Sequence, residues 1–179
     1  MRIKEITDSI EQYAPLRLQE EWDNAGIQVG DPEAEITGVL VGTDATEAVV
    51  AEAIERGFNL VISHHPLIFR GLKKIMGRTP VERAVAMAIK HDITIYSAHT
   101  NMDSAWQGVS FRMADKIGMT HVDFLDVNDV AAYGSQATPL QAAASSVTST
   151  RCLRERYCNV SSRPLKWAPC VTAVTVTAW

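Results

Sequence analysis

The first 151 residues contain no cysteine, and no histidine follows His121. Nothing in the long first part therefore reads as a cysteine nucleophile, and no serine sits in a nucleophile elbow. No glycine-rich stretch has the phosphate-cradling spacing of a P-loop. No apolar run approaches the roughly 18 residues of a membrane span. Arg2 and Lys4 do not lead into an apolar segment, so no signal peptide is read and the cytoplasm is the expected compartment. The formal charge is −4, and no basic stripe marks a surface for nucleic acid phosphates.

What is present divides near Asp129. Residues 1–130 hold 12 Lys+Arg and 20 Asp+Glu, whereas residues 131–179 hold five basic residues and one acid, Glu155. All three cysteines and only one glycine, Gly134, lie in the second part. At 179 residues and 46% hydrophobic composition, the chain is long enough to bury a core as one domain or one domain plus a fragment. The expected division is an α/β metal-binding domain over residues 1–128 and an atypical, poorly ordered tail over residues 129–179.

The first part alternates strands with capped helices. Ile3, Ile6, Ile10 and Tyr13 recur at helical spacing, so residues 2–14 read as an amphipathic helix ended by Pro15. EEWDNAGIQVG (20–30) reads as turn formers. Residues 36–43 read as a buried strand, and Asp44 with Glu47 as a capping-box-like start to a helix that stops at Gly57. FNLVIS (58–63) is the next buried strand. Thr79-Pro80-Val81-Glu82 opens a further helix running to about His91. ITIYSA (93–98) is a third strand, residues 107–117 another helix, and residues 121–127 a weaker strand. This is an α/β pattern with a mostly parallel sheet and flanking helices. Beyond Val130 no clean period appears, although VTAVTVTA alternates like a strand.

In an open parallel sheet, ligands bind beyond the carboxyl ends of the strands. His64 and His65 end one strand, and His99 and Asp103 follow the end of another. If the two strands are neighbours, three or four N/O donors converge. Neutral imidazole suits zinc, iron, nickel or copper, and a carboxylate widens the choice to manganese. Adjacent strand residues point to opposite faces, so two arrangements are open. Either the backbone turns and brings both rings to one ion, or each ring serves a different ion of a two-metal site for which Asp103 is the candidate bridge. A lone His-His-Pro is more often a surface loop; the second polar cluster at a second strand end shifts the balance. His91 reads as a helix C-terminal residue, His121 as structural, Trp22 as a core anchor, and Glu20, Glu21 and Asp23 as solvated, with the alternative that Asp23-Asn24 orders the turn.

WDNAGIQVG (22–30), SHHPLIF (63–69) and SAHTNMD (97–103) together resemble the GTP cyclohydrolase type 2-like family, also called NIF-three-like dinuclear metal proteins. The resemblance covers about residues 1–128. It implies an α/β fold in a ring-shaped hexamer enclosing paired divalent metal ions (Zn, Fe, Mn or Ni). His64 and His65 match the family's double-histidine ligands, Asp103 its bridging carboxylate, and His99 a neighbouring histidine in the second shell. The family's remaining ligands, a histidine and a glutamate near the C-terminus, have no counterpart here, so the fold is expected to be incomplete relative to the family. A shifted reading frame would account for the tail, and sequencing the coding DNA tests that.

Three functions follow as expectations. One is a metal-dependent hydrolase acting on a nucleotide or similar heterocycle, with Arg70, Lys73, Lys74 and Arg78 available to phosphates. The second is a non-catalytic metal-binding scaffold or regulatory interaction protein. The third is an inactive truncated product.

Overall fold

The computed structural model describes residues 1–122 and the backbone of residues 172–174. The chain opens with helix α1 (Ile3–Tyr13) and a single 3-10 turn (Leu16–Leu18), followed by strand β1 (Gly26–Val29). Strand β2 (Val39–Asp44), helix α2 (Glu47–Arg56) and strand β3 (Leu60–His65) form the first βαβ unit. Helix α3 (Pro80–Lys90) and strand β4 (Thr94–Ser97) complete the second, and the short helix α4 (Thr100–Asp103) and helix α5 (Val109–Lys116) follow. Strand β5 (Thr172–Val174) comes last.

The sheet order is β1-β4-β3-β2-β5. Its centre is parallel, with β3 pairing both β2 and β4 in that sense. Each edge is antiparallel, β1 on β4 and β5 on β2. The expected class, α/β with a mostly parallel sheet and flanking helices, is the observed one. The alternating VTAVTVTA segment supplies β5 at Thr172–Val174. The weak strand read at 121–127 and the poorly ordered tail read at 129–179 otherwise lie outside the described residues.

Strand alternation sorts the core onto two faces. Leu40, Val61 and Ile95 pack with Val50 and Ala53 of α2 and with Ala84, Val85 and Ala88 of α3. Val39, Leu60 and Tyr96 face the other way, against Ile3, Ile6 and Ile10 of α1. The result is three layers, helix–sheet–helix, which leaves the carboxyl ends of β2, β3 and β4 together on one rim.

Two sequence expectations change here. The EEWDNAGIQVG segment contains β1, a strand hidden by its brevity and by glycines at both ends with φ of +100° (Gly26) and +106° (Gly30). Helix α2 is capped by Thr46, whose side chain accepts from Val49 N–H. Asp44 does not cap it, because Asp44 is still paired in the sheet opposite His65.

Helix α3 does start on the Thr79-Pro80 cap, with Thr79 Oγ1 accepting from Glu82 N–H. The Glu82 carboxylate reaches back to accept from the N–H groups of Met76 and Arg78, both at 3.0 Å. These bonds hold its carboxyl below the ordinary value of 4.5. A depressed folded pKa means the tie contributes above the ordinary value and is lost as pH falls through the lower folded one. Proteolytic nicking of the exposed 70–78 segment should therefore rise below about pH 4, and Glu82→Gln should raise it already at pH 7. Equal nicking of variant and wild type at pH 7 would rule the tie out.

Candidate metal centre

The C-terminal ends of β3 and β4 lie side by side, Ser63 opposite Ser97, with Ala98 N–H donating to Ser63 O at 2.9 Å. Both serines are buried. Their hydroxyls lie 3.0 Å apart, and each also reaches the His65 carbonyl, at 2.9 Å from Ser63 and 3.3 Å from Ser97. His64 and His65, which a flat strand would send to opposite faces, have ring centroids 4.9 Å apart.

His99 joins them from the end of β4. Its ring centroid lies 5.2 Å from that of His64 and 5.7 Å from that of His65. One ligand atom from each of the three imidazoles lies within 4.8 Å of the others. The buried Asn101 fixes this turn by accepting from His99 N–H at 2.9 Å and donating to Ala14 O at 2.8 Å.

Each imidazole has its Nδ1 already engaged by an oxygen acceptor. His64 Nδ1 lies 2.8 Å from Ala98 O, His65 Nδ1 2.8 Å from Asp44 Oδ1, and His99 Nδ1 2.8 Å from Asp23 Oδ1. An acceptor at Nδ1 selects the Nδ1–H tautomer and leaves Nε2 with a free lone pair. Two carboxylates and one carbonyl acting this way are the outer partners that orient metal-binding histidines. The residues present thus fit a divalent ion: three imidazoles, each held at Nδ1 by an oxygen acceptor, with a ligand atom from each within 4.8 Å of the others.

Asp103 sits beside this set on α4, with Oδ1 3.7 Å from His64 Nε2. Burial pushes its carboxyl above the ordinary carboxylate value, against the pull of His64 and His99, and Asp23 pushes it the same way as burial. His64, His65, His99 and Asp103 are therefore brought together as the strand-end reading expects. His99 stands in the cluster itself, level with the adjacent pair, not behind it. His91 caps the C-terminal end of α3, and His121 occupies an exposed turn with φ +58°; neither enters the cluster.

Three sequence readings fail. Asp23 is not solvated: its side chain has 0% exposure. Burial pushes its carboxyl up, but hydrogen bonds from Thr100 Oγ1, His99 Nδ1, Asn24 N–H and Thr100 N–H outweigh burial and hold it below the usual value. Trp22 is not a core anchor: it is 59% exposed, because Asp23 turns inward to His99 and leaves its neighbour outside. Asp44, taken as a helix cap, orients His65. It ends β2 on the same rim, so the strand-end rule that found the histidines would have found it too.

Among the described residues, no helix is long and apolar enough to cross a membrane. The family model described as Duf34/NIF3 (NGG1p interacting factor 3) matches residues 1–172. A Clostridium perfringens protein named GTP cyclohydrolase 1 type 2 homolog is 40% identical over 130 residues, covering 73% of this chain and 50% of that protein. A Staphylococcus aureus (strain MRSA252) protein of the same name is 37% identical over 126 residues, covering 70% of this chain and 34% of its own length. The crystal structure of a Bacillus cereus protein related to NIF3 matches with a TM-score of 0.66 at 39% identity, covering 70% of this chain and 35% of that one. This chain spans between a third and a half of the length of these relatives.

Proposed function

The chain belongs to the Duf34/NIF3 family, and we propose that it binds divalent metal through Nε2 of His64, His65 and His99 with the Asp103 carboxylate beside them. We further propose that it acts as a metal-dependent hydrolase on a nucleotide or similar heterocycle. The observation that carries the metal reading is the set of three imidazoles, each with Nδ1 held by an acceptor and with one ligand atom from each within 4.8 Å of the others. Three nitrogens and one carboxylate suit zinc, iron, manganese or nickel. When bound, such an ion supplies a Lewis acid and a source of hydroxide near neutral pH.

The protein's own residues do the rest. Asp23, Asp44 and the Ala98 carbonyl each hold one imidazole at Nδ1 and so set its direction. Asp103, at the side of His64, is the group we assign to bridge a second ion, as paired-metal members of the family would require. A ring of six chains is the assembly we propose with it, and light scattering tests it: a monomer at micromolar concentration would exclude the ring.

The test of the metal reading is zinc titration of the full chain, with metal per chain counted by mass spectrometry. His64→Ala and His99→Ala should each weaken binding by about 100-fold or more, since two imidazoles hold zinc far less tightly than three. Wild-type zinc content in both variants would overturn the assignment. Metal retained without turnover of any nucleotide would favour the second reading, a non-catalytic metal-binding scaffold.

A further inference from the structure

Two large aromatic side chains stand in the open at the edge of the histidine cluster. Trp22 is 59% exposed and Phe69 47% exposed. Their ring centroids lie 5.7 Å apart, and each lies against His99, at 6.2 Å from Trp22 and 6.4 Å from Phe69. They come from segments distant in sequence, one before β1 and one after β3.

Leaving this much aromatic surface in water forgoes the stabilisation that burial would bring. The segments that carry the rings are nevertheless held firmly. Asn24 Nδ2 donates to Ile68 O at 2.7 Å, and Ile68 N–H donates to Gln28 Oε1 at 3.0 Å. Glu20 N–H donates to Thr100 Oγ1 at 3.0 Å, and Asp23 is buried under His99 and Thr100. The polar network ties the residue after Trp22 and the residue before Phe69 to the same frame that positions His99. The pair is thus a fixed aromatic wall of two rings tilted 55° to each other and not a loose loop tip.

We propose that Trp22 and Phe69 form an aromatic wall that receives an aromatic heterocycle of the nucleobase type, its flat face on Trp22 and its edge towards the tilted Phe69 ring, presenting it to the His64, His65 and His99 cluster. This rests on the metal-site reading above and specifies which part of the ligand that site recognises. An exposed rigid ring offers its face at little entropic cost, and stacking is tolerant of which base is bound because every base has a π-face. The edge contact of both rings with His99 sets a base stacked on the wall next to that imidazole.

The experiment is calorimetric titration of the zinc-loaded full chain with guanosine monophosphate, and with ribose 5-phosphate, which lacks the base. Guanosine monophosphate should bind the wild type more tightly than ribose 5-phosphate. Trp22→Ala and Phe69→Ala should each weaken the nucleotide by roughly 5- to 100-fold, with zinc content and ribose 5-phosphate binding unchanged. Trp22→Phe should retain most of the affinity. Nucleotide affinity unchanged in both alanine variants, or a wild type that does not prefer the base-bearing ligand, would overturn the proposal. So would an altered oligomeric state in Trp22→Ala with unchanged nucleotide affinity, which would make the wall a contact between chains. Base-dependent binding in a protein that fails to take up zinc would remove the metal reading and leave the wall standing.

Discussion

Asp23→Ala should lower the stability of the protein by about 3–5 kcal/mol, the cost typical of removing one member of a buried pair. The side chain is fully buried and accepts from four groups, His99 Nδ1–H, Thr100 N–H, Thr100 Oγ1–H and Asn24 N–H. Alanine takes the acceptor from three of these donors, one on His99 and two on Thr100, and each stranded group costs on the order of 1–3 kcal/mol. The variant should also lose metal affinity, because His99 then has nothing to hold its tautomer. Asp23→Asn separates the two effects. It keeps the shape and can still accept one bond, so stability should fall less, while zinc affinity drops by roughly 10- to 100-fold, the usual effect of altering a partner behind a metal-binding histidine. Urea unfolding and zinc titration on both variants check this. Wild-type zinc affinity in the asparagine variant would show that His99 does not depend on Asp23.

A second large loss is expected far from any donor atom. Gly30 ends β1 with φ +106°, a conformation that any side chain strains. A Cβ there would also lie 2.5 Å from Thr94 Cα and 2.8 Å from Thr94 Cβ. Thr94 cannot withdraw: it is buried in β4, pairs with Leu60, and its hydroxyl bonds Asp31 N–H at 3.1 Å and Asp31 O at 3.2 Å. Backbone strain and a clash with backbone act together, so Gly30→Ala should cost about 3–5 kcal/mol. The strand displaced is β1, whose pairing of Gly26 with Ser97 and Ile27 with Tyr96 places the Trp22–Asn24 segment over His99. Zinc affinity measured on the fraction that remains folded should therefore fall too. A Gly30→Ala protein with unchanged unfolding midpoint would mean that β1 can shift away from Thr94 freely.

The elements legible in advance were those with a physical signature in their own residues. Helices α1 and α3 announce themselves by apolar spacing, and α3 also by the Thr79-Pro80 cap. The central strands β2, β3 and β4 are buried runs of β-branched and aromatic residues, and their alternation with helices forces parallel neighbours. That in turn places His64, His65, His99 and Asp103 on one rim. Strand β1 was not legible, because four residues that begin on one positive-φ glycine and run into another look like a turn, and only pairing with β4 makes them a strand.

The sequence by itself determined which polar residues end the strands, since residue type and the order of elements along the chain are local matters; that β3 and β4 are neighbours came from the sheet. Direction was decided only by the tertiary structure. Whether Asp23 is solvated or buried depends on Thr100 and His99, more than seventy residues away in the chain. Whether Asp44 caps a helix or orients a ring depends on register with His65. That the rings of two adjacent histidines come to 4.9 Å, with His99 beside them, is likewise seen only in the folded chain. Hydrogen bonds between distant segments have no signature in local composition, and they alone turn a set of donors into an oriented site.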